Sequence, residues 1–203
     1  MDILQTITQE FALNPKHVKN IVALLDEGNT VPFSARYRKE MTGSCDDQVL
    51  RQLSDRLDYL RGLEKRKEEV ANSITEQGKM TDEIRLALEK AVTLTEVEDI
   101  YRPYKQKRKT RASVAIAKGL QPFAEKILAQ DKTLNVPKEA EQYLTDEVKT
   151  VNEAIDGARD IIAEIISDDA ATRKKLRNFF MRHGEIVSSY AKGKEAEDET
   201  KTY

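Results

Sequence analysis

Residues 46–77, DDQVLRQLSDRLDYLRGLEKRKEEVANSITEQ, decide the fold. Leu50, Leu53, Leu57, Leu60, Leu63, Val70 and Ile74 recur at spacings of three, four and seven, and only Gly62 interrupts the helix formers before Gly78. Asp46 and Asp47 place two carboxylates where the positive end of a helix favours them. At ~1.5 Å rise per residue the stretch predicts a rod of about 48 Å, longer than a small domain is wide. One narrow apolar stripe on so long a helix requires other helices along it, so the expected class is all-α: an elongated multi-helix assembly with a helix-turn-helix-like start and one long central helix.

Upstream, Ile3, Leu4, Ile7 and Phe11 recur at helical spacing, and Asn14-Pro15 supplies a cap followed by Pro at the first helical position. A second helix is expected over about Lys16–Glu27, with Val18, Ile21, Val22 and Leu25 on its apolar face and Gly28 beyond its end. A turn over Gly28–Val31 leads to a third short helix, Phe33 to about Met41, broken by Thr42–Cys45. Residues 1–43 therefore read as a helix-turn-helix-like segment.

Downstream, residues 44–184 read as a helical body built on the long helix. Thr81 opens a helix to about Val92, Thr95-Glu96-Val97-Glu98 reads as a capping box, and Pro103 stops the helix that follows. Short helices are expected over Ala112–Lys118, from Pro122 with Phe123, Ile127 and Leu128 inward, and from Pro137. A second box, Thr150 to Glu153, starts a helix carrying Ala154, Ile155, Ala158, Ile161, Ile162, Ile165 and Ile166, which reads as the best partner for the long helix. Asp168 or Asp169 caps a last helix with Leu176, Phe179 and Phe180, and Glu185–Tyr190 reads as a strand or as extended chain. Residues 185–203 are expected to be an extended charged tail, the truncated start of a following domain.

The 203 residues include 34% charged and 6% aromatic side chains, no Trp, one Cys and two His. No apolar run of about 18 residues and no signal-peptide order at the amino terminus are present, so a cytoplasmic protein with no membrane partner is expected. Cys45 has no disulfide partner in the chain and no basic neighbour to activate it, and His17 and His183 form no metal-ligand cluster. No carboxylate pairs with His, and no Gly-rich phosphate loop occurs, so the expectation is no enzyme, no cofactor, no metal and no small-molecule substrate.

The net charge of −2 hides a segregation. Ile100–Ala124 contains no Asp or Glu but holds Arg102, Lys105, Lys107, Arg108, Lys109, Arg111 and Lys118, leaving 27 basic residues against 36 acidic ones elsewhere. A polyanion is the implied partner. Tyr101-Arg102-Pro103-Tyr104-Lys105-Gln106-Lys107-Arg108-Lys109-Thr110-Arg111 combines cations for phosphates with flat rings on which bases stack. If the loop is extended, Lys105, Lys107, Lys109 and Arg111 share one side at intervals of about 6.7 Å. The competing reading is a solvated loop paired with the acidic remainder of the fold, with Tyr101 and Tyr104 as packing residues. A weaker candidate contact is Arg36, Arg38 and Lys39 on the third helix, in the place of a recognition helix, unless Arg36 or Arg38 pairs with Asp26, Glu27 or Glu40.

Three blocks carry a family resemblance. Thr30-Val31-Pro32-Phe33-Ser34-Ala35-Arg36-Tyr37-Arg38-Lys39-Glu40-Met41-Thr42-Gly43 resembles the amino-terminal region of the bacterial transcription accessory protein Tex (YhgF-like) family. Leu94–Lys105 with Arg111-Ala112 and Lys118–Pro122, and then Gly157–Glu164, continue the resemblance in consistent order. The resemblance implies an all-helical region with a helix-turn-helix-like part and a long central helix. It also implies association with transcription and non-sequence-specific binding of RNA or DNA. In the family a ribonuclease-H-like domain, a helix-hairpin-helix region and an OB-fold RNA-binding domain follow, and none of the three fits inside this chain. Ser34 stands where the family usually has an apolar residue, a departure that touches packing. Two readings follow: a basic surface for RNA or DNA phosphates, or an architectural scaffold for transcription machinery or for the family's further domains.

Overall fold

The computed structural model describes residues 2–106 and 108–189. Twelve α-helices account for nearly all of the regular structure among them, and no strand is formed there. The first four are α1 (Ile3–Glu10), α2 (Pro15–Asp26), α3 (Val31–Tyr37) and α4 (Lys39–Thr42), leading into the long α5 (Asp47–Glu76). Asn14 and Asp46 cap α2 and α5, accepting from the Lys16 and Val49 amides at 2.9 and 2.8 Å. The third helix is broken in two, because Arg38 (φ −127°, ψ 30°) leaves helical geometry. That turn buries Thr42 completely and brings the Met41 carbonyl onto α2, where it meets His17 Nδ1 at 3.1 Å and accepts from Asn20 Nδ2 at 3.2 Å. Gly43 at φ +69° closes the turn, and a Cβ there would stand 2.8 Å from the His17 ring.

The long helix serves two cores in succession. Leu50, Leu53, Leu57 and Leu60 form the first with Ile7, Val18 and Ile21. Leu63, Val70 and Ile74 form the second with Leu88 of α6 (Asp82–Lys90), Ala91, and Val97 of α7 (Leu94–Tyr101). The stripe skips position 67, where Lys67 lays its stem inward and snorkels, its Nζ 2.9 Å from Glu64 Oε1 and donating to the Glu89 carbonyl at 3.3 Å. The helix start expected at Thr95 lies two residues earlier, with Thr93 as its cap. Thr93 Oγ1 accepts from the Glu96 amide at 3.2 Å, while the Glu96 carboxylate reaches back to the Val92 amide at 3.0 Å.

The third core belongs to α8 (Arg111–Ala117), α9 (Gln121–Leu128), α10 (Val136–Ala140) and α11 (Val151–Asp168). This corrects the expected pairing of the Ala154–Ile166 helix with the long helix. The inner face of α11 is small, with Ala154, Ala158 and Gly157 ahead of Ile161, and it seats on α8 and α9 instead. A Cβ on Gly157 would lie 2.4 Å from Leu120 Cδ1, so glycine sets that approach. Leu128, expected inward, is over a third exposed at the end of α9. The last helix, α12 (Ala170–His183), is capped by Asp169, whose carboxylate accepts from the Thr172 amide at 2.6 Å. Leu176, Phe179 and Phe180 on it are more than half exposed. Residues 184–189 form no regular strand, and Tyr190 with the rest of the expected tail lies outside the described residues. No helix among those described is long and apolar enough to cross a membrane.

One flaw in the first core is testable. Ser34 is 3% exposed and its hydroxyl makes no hydrogen bond, a desolvated polar group without a partner. Ser34→Ala is expected to raise the unfolding free energy by about 1 kcal/mol in urea titration, through a higher midpoint at unchanged slope.

Candidate nucleic-acid interface

The basic segment begins where α7 ends. Pro103 removes the amide a continuing helix would need, and Arg102–Tyr104 tighten into a 3₁₀ turn. Tyr101 and Tyr104 pack against the second core. The Tyr101 hydroxyl lies 3.1 Å from Ser73 Oγ, and the Arg66 guanidinium sits 5.4 Å from the centre of its ring. The Tyr104 carbonyl accepts from Gln77 Nε2 at 3.0 Å. Both tyrosines thus tie the loop to the end of α5, half-buried, rather than presenting free faces for bases.

The other end is fixed as firmly. Thr110 Oγ1 accepts from the Ser113 amide at 3.0 Å, and Ser113 Oγ accepts from the Thr110 amide at 2.9 Å, a reciprocal box that opens α8. The box carries no conventional sequence signature, because Ser, not Glu or Gln, stands at the third position. Between these anchors the chain bends at Lys105 and again at Lys109, so the straight two-residue row expected for Lys105, Lys109 and Arg111 is not formed. Lys107 lies outside the described residues.

Helix α11 supplies the floor. Arg102 Nε donates to Asp168 Oδ1 at 2.8 Å, with the Asp168 side chain only a tenth exposed, and Arg111 lies 3.4 Å from Asp160. A cleft of about 490 Å³ opens between loop and helix, lined by Lys105, Arg108, Thr110, Asp160, Glu164 and Asp168 among others. The pairings span 49 and 66 positions, and no local pattern announces them. Lys105, Arg108 and Lys109 are exposed and make no ion pair among the described residues. Among the described residues, then, Arg102 and Arg111 pair with acids of α11 while Lys105, Arg108 and Lys109 are exposed without an ion pair, a division that combines the two sequence readings.

Arg36, Arg38 and Lys39 lie elsewhere, on α3 and α4 beside the first core. They form no ion pair among the described residues. Asp26, a proposed partner, is held bidentately by Arg61 at 2.7 and 2.9 Å, and Glu27 accepts from Asn29. Among the described residues no three His, Cys, Asp or Glu side chains converge as metal ligands. Burial, and then the neighbouring Asp46 carboxylate, push the Cys45 thiol up, away from thiolate chemistry.

The chain is similar to known proteins over nearly its whole length. Residues 1–75 match the Tex-like protein N-terminal domain, and residues 131–203 match the Tex central region-like family. The protein YdcI of Bacillus subtilis (strain 168) is 48% identical over 199 residues, covering 97% of this chain and 27% of that protein. Transcriptional accessory protein Tex of Neisseria gonorrhoeae is 44% identical over 199 residues, 98% of this chain and 26% of its own length. S1 RNA-binding domain-containing protein 1 of Pongo abelii is 32% identical over 196 residues, 94% and 19%. The chain thus spans about a quarter or less of the length of these relatives. Two family matches in chain order, together with a similarity to Tex that covers 98% of this chain, place the chain in the Tex-like family, as its amino-terminal helical region.

Proposed function

We propose that this region gives a transcription accessory protein a basic surface for RNA or DNA phosphates, without sequence readout, formed by Lys105, Arg108 and Lys109 on the anchored loop. The observation that carries the reading is the division of labour along the loop. Arg102 is hydrogen-bonded to Asp168 and Arg111 lies 3.4 Å from Asp160, whereas Lys105, Arg108 and Lys109 are exposed and make no ion pair among the described residues, in a segment that contains no Asp or Glu. Anchoring at both ends lowers the entropy lost when such side chains meet a polyanion. A name that includes transcription in one relative and S1 RNA-binding in another supports the same direction. The proposed role is binding, not catalysis.

Three phosphate contacts on a single strand give a slope of log K against log salt near −2.1, at about 0.7 per contact. Changing Lys105 and Lys109 to Ala should shrink that slope by about 1.4. Fluorescence anisotropy with labelled single-stranded RNA across a salt series measures both, and an affinity independent of salt would refute the proposal.

A scaffold role has one specific observation in its favour. Ile165 and Ile166 at the end of α11, with Leu176, Phe179, Phe180 and Met181 of α12, are all at least 45% exposed, an apolar surface of the sort protein partners cover. Partner capture that survives nuclease treatment and is lost in Phe179→Asp/Phe180→Asp would support that second role.

A further inference from the structure

The pairing of exposed rings with unpaired cations, which the sequence suggests for the Tyr101 loop, occurs in the structure on α3 and α4. Val31, Ser34 and Ala35 turn toward the first core, which leaves Phe33, Arg36 and Tyr37 on the outer face of α3. Tyr37 is 69% exposed and Phe33 38%. Their ring centres lie 5.3 Å apart at 40°, and the Arg38 guanidinium sits 5.7 Å from the centre of the Phe33 ring. Arg36, Arg38 and Lys39 are exposed and make no ion pair among the described residues, and Glu40, the acid next to them in sequence, bridges to none of them. Two adjacent rings, one of them mostly exposed, thus stand at the surface beside three cations that make no ion pair among the described residues.

We propose that this patch is a second contact for single-stranded nucleic acid, in which Tyr37 and Phe33 stack on unpaired bases while Arg36, Arg38 and Lys39 meet the flanking phosphates. The proposal rests on the nucleic-acid reading above and adds strand state to it. Charge selects a polyanion, and the rings select one whose flat faces are open. A duplex keeps its base faces stacked and would meet the cations alone. The patch stands beside the first core at one half of α5, whereas the loop is tied by Gln77 to the far end. A strand touching both would run along the long helix.

The test uses the 203-residue chain and three labelled twelve-nucleotide probes: an ordinary single strand, an abasic single strand of equal charge, and a duplex. The ordinary strand should bind about tenfold tighter than the abasic one. Tyr37→Ala should reduce that ratio to about twofold or less, and Tyr37→Phe should keep it. The comparison with the abasic strand uses the unaltered protein, so its outcome does not depend on how a variant folds. Equal affinity for ordinary and abasic strands, or an unchanged ratio in Tyr37→Ala, would overturn the stacking site and leave the loop's phosphate contacts standing. Displacement of the ordinary strand by charge-matched polyglutamate as readily as by unlabelled strand would mark a plain charge patch and overturn it too. Absence of binding to any probe at low salt would overturn both readings together.

Discussion

Replacing Phe123 by Ala is expected to lower the unfolding free energy by about 3–5 kcal/mol, one of the two largest single-residue effects in this chain. Phe123 is fully buried, its ring stacked on Tyr143 with centres 5.0 Å apart. Most of its buried neighbours in the third core are small: Ala112, Ala115, Ala124, Ala140, Ala154 and Ala158. Their backbones already approach closely, with Gly157 against Leu120, and an alanine has no side chain to swing into the space a lost ring would leave. The cavity therefore stays open, which places the cost toward the upper end of the range. The same core holds α8 and α11, the two walls of the loop cleft, so the variant should also weaken binding to single-stranded RNA. Guanidinium denaturation followed by circular dichroism measures the first effect, and anisotropy on the same samples at low denaturant the second. A change below about 1 kcal/mol would mean that the third core is not packed as described.

Asp99→Ala should cost about 2–3 kcal/mol and release α12 from α7. Asp99 is buried and accepts from Arg173 Nε at 2.7 Å and from Arg177 at 2.5 Å, while Lys174 pairs with Glu96 at 2.8 Å on the same contact. Truncation strands two guanidiniums, but each is about a third exposed and recovers water, which keeps the cost below that of a fully buried pair. Burial pushes the Asp99 carboxyl up, but the hydrogen bonds from Arg173 and Arg177 outweigh it, and the net direction is down. The Glu96 carboxyl is held low as well, chiefly by Lys174. Since both folded values lie below the unfolded ones, this contribution is fully present above about pH 5 and is lost as pH falls through the folded values. Hydrogen exchange of the α12 amides should therefore accelerate on acidification below about pH 4, and Asp99→Ala should show the faster exchange already at pH 7. Exchange in α12 that is slow and independent of Asp99 would show that apolar contacts hold the helix instead.

Much of the fold is legible because its signals are local. The Leu50–Ile74 stripe, the Asn14-Pro15 and Asp46 caps and the stop at Pro103 each depend on residues within one or two turns, and each lies where expected. The long helix's neighbours are not local in this sense. An apolar face such as that of α11 shows that it must be covered but not by what, and its small residues fit α8 and α9 better than the leucines of α5. The candidate site divides along the same line. Composition alone identifies the loop, yet which of its cations remain available depends on Asp160, 49 residues beyond Arg111, and Asp168, 66 beyond Arg102. The tyrosines illustrate the point in reverse: four aromatic rings near cations look alike in sequence, and only packing separates the half-buried Tyr101 and Tyr104 from the exposed Phe33 and Tyr37.

The measurement that most directly tests whether the loop meets phosphates is lysine acetylation footprinting by mass spectrometry, with and without saturating single-stranded RNA. Lys105 and Lys109 should become several-fold less reactive when RNA is bound, while Lys132, exposed on the turn after α9, should not change. Unchanged reactivity at Lys105 and Lys109 in a sample shown by anisotropy to be saturated would contradict a phosphate-binding loop and move the contact elsewhere on the protein.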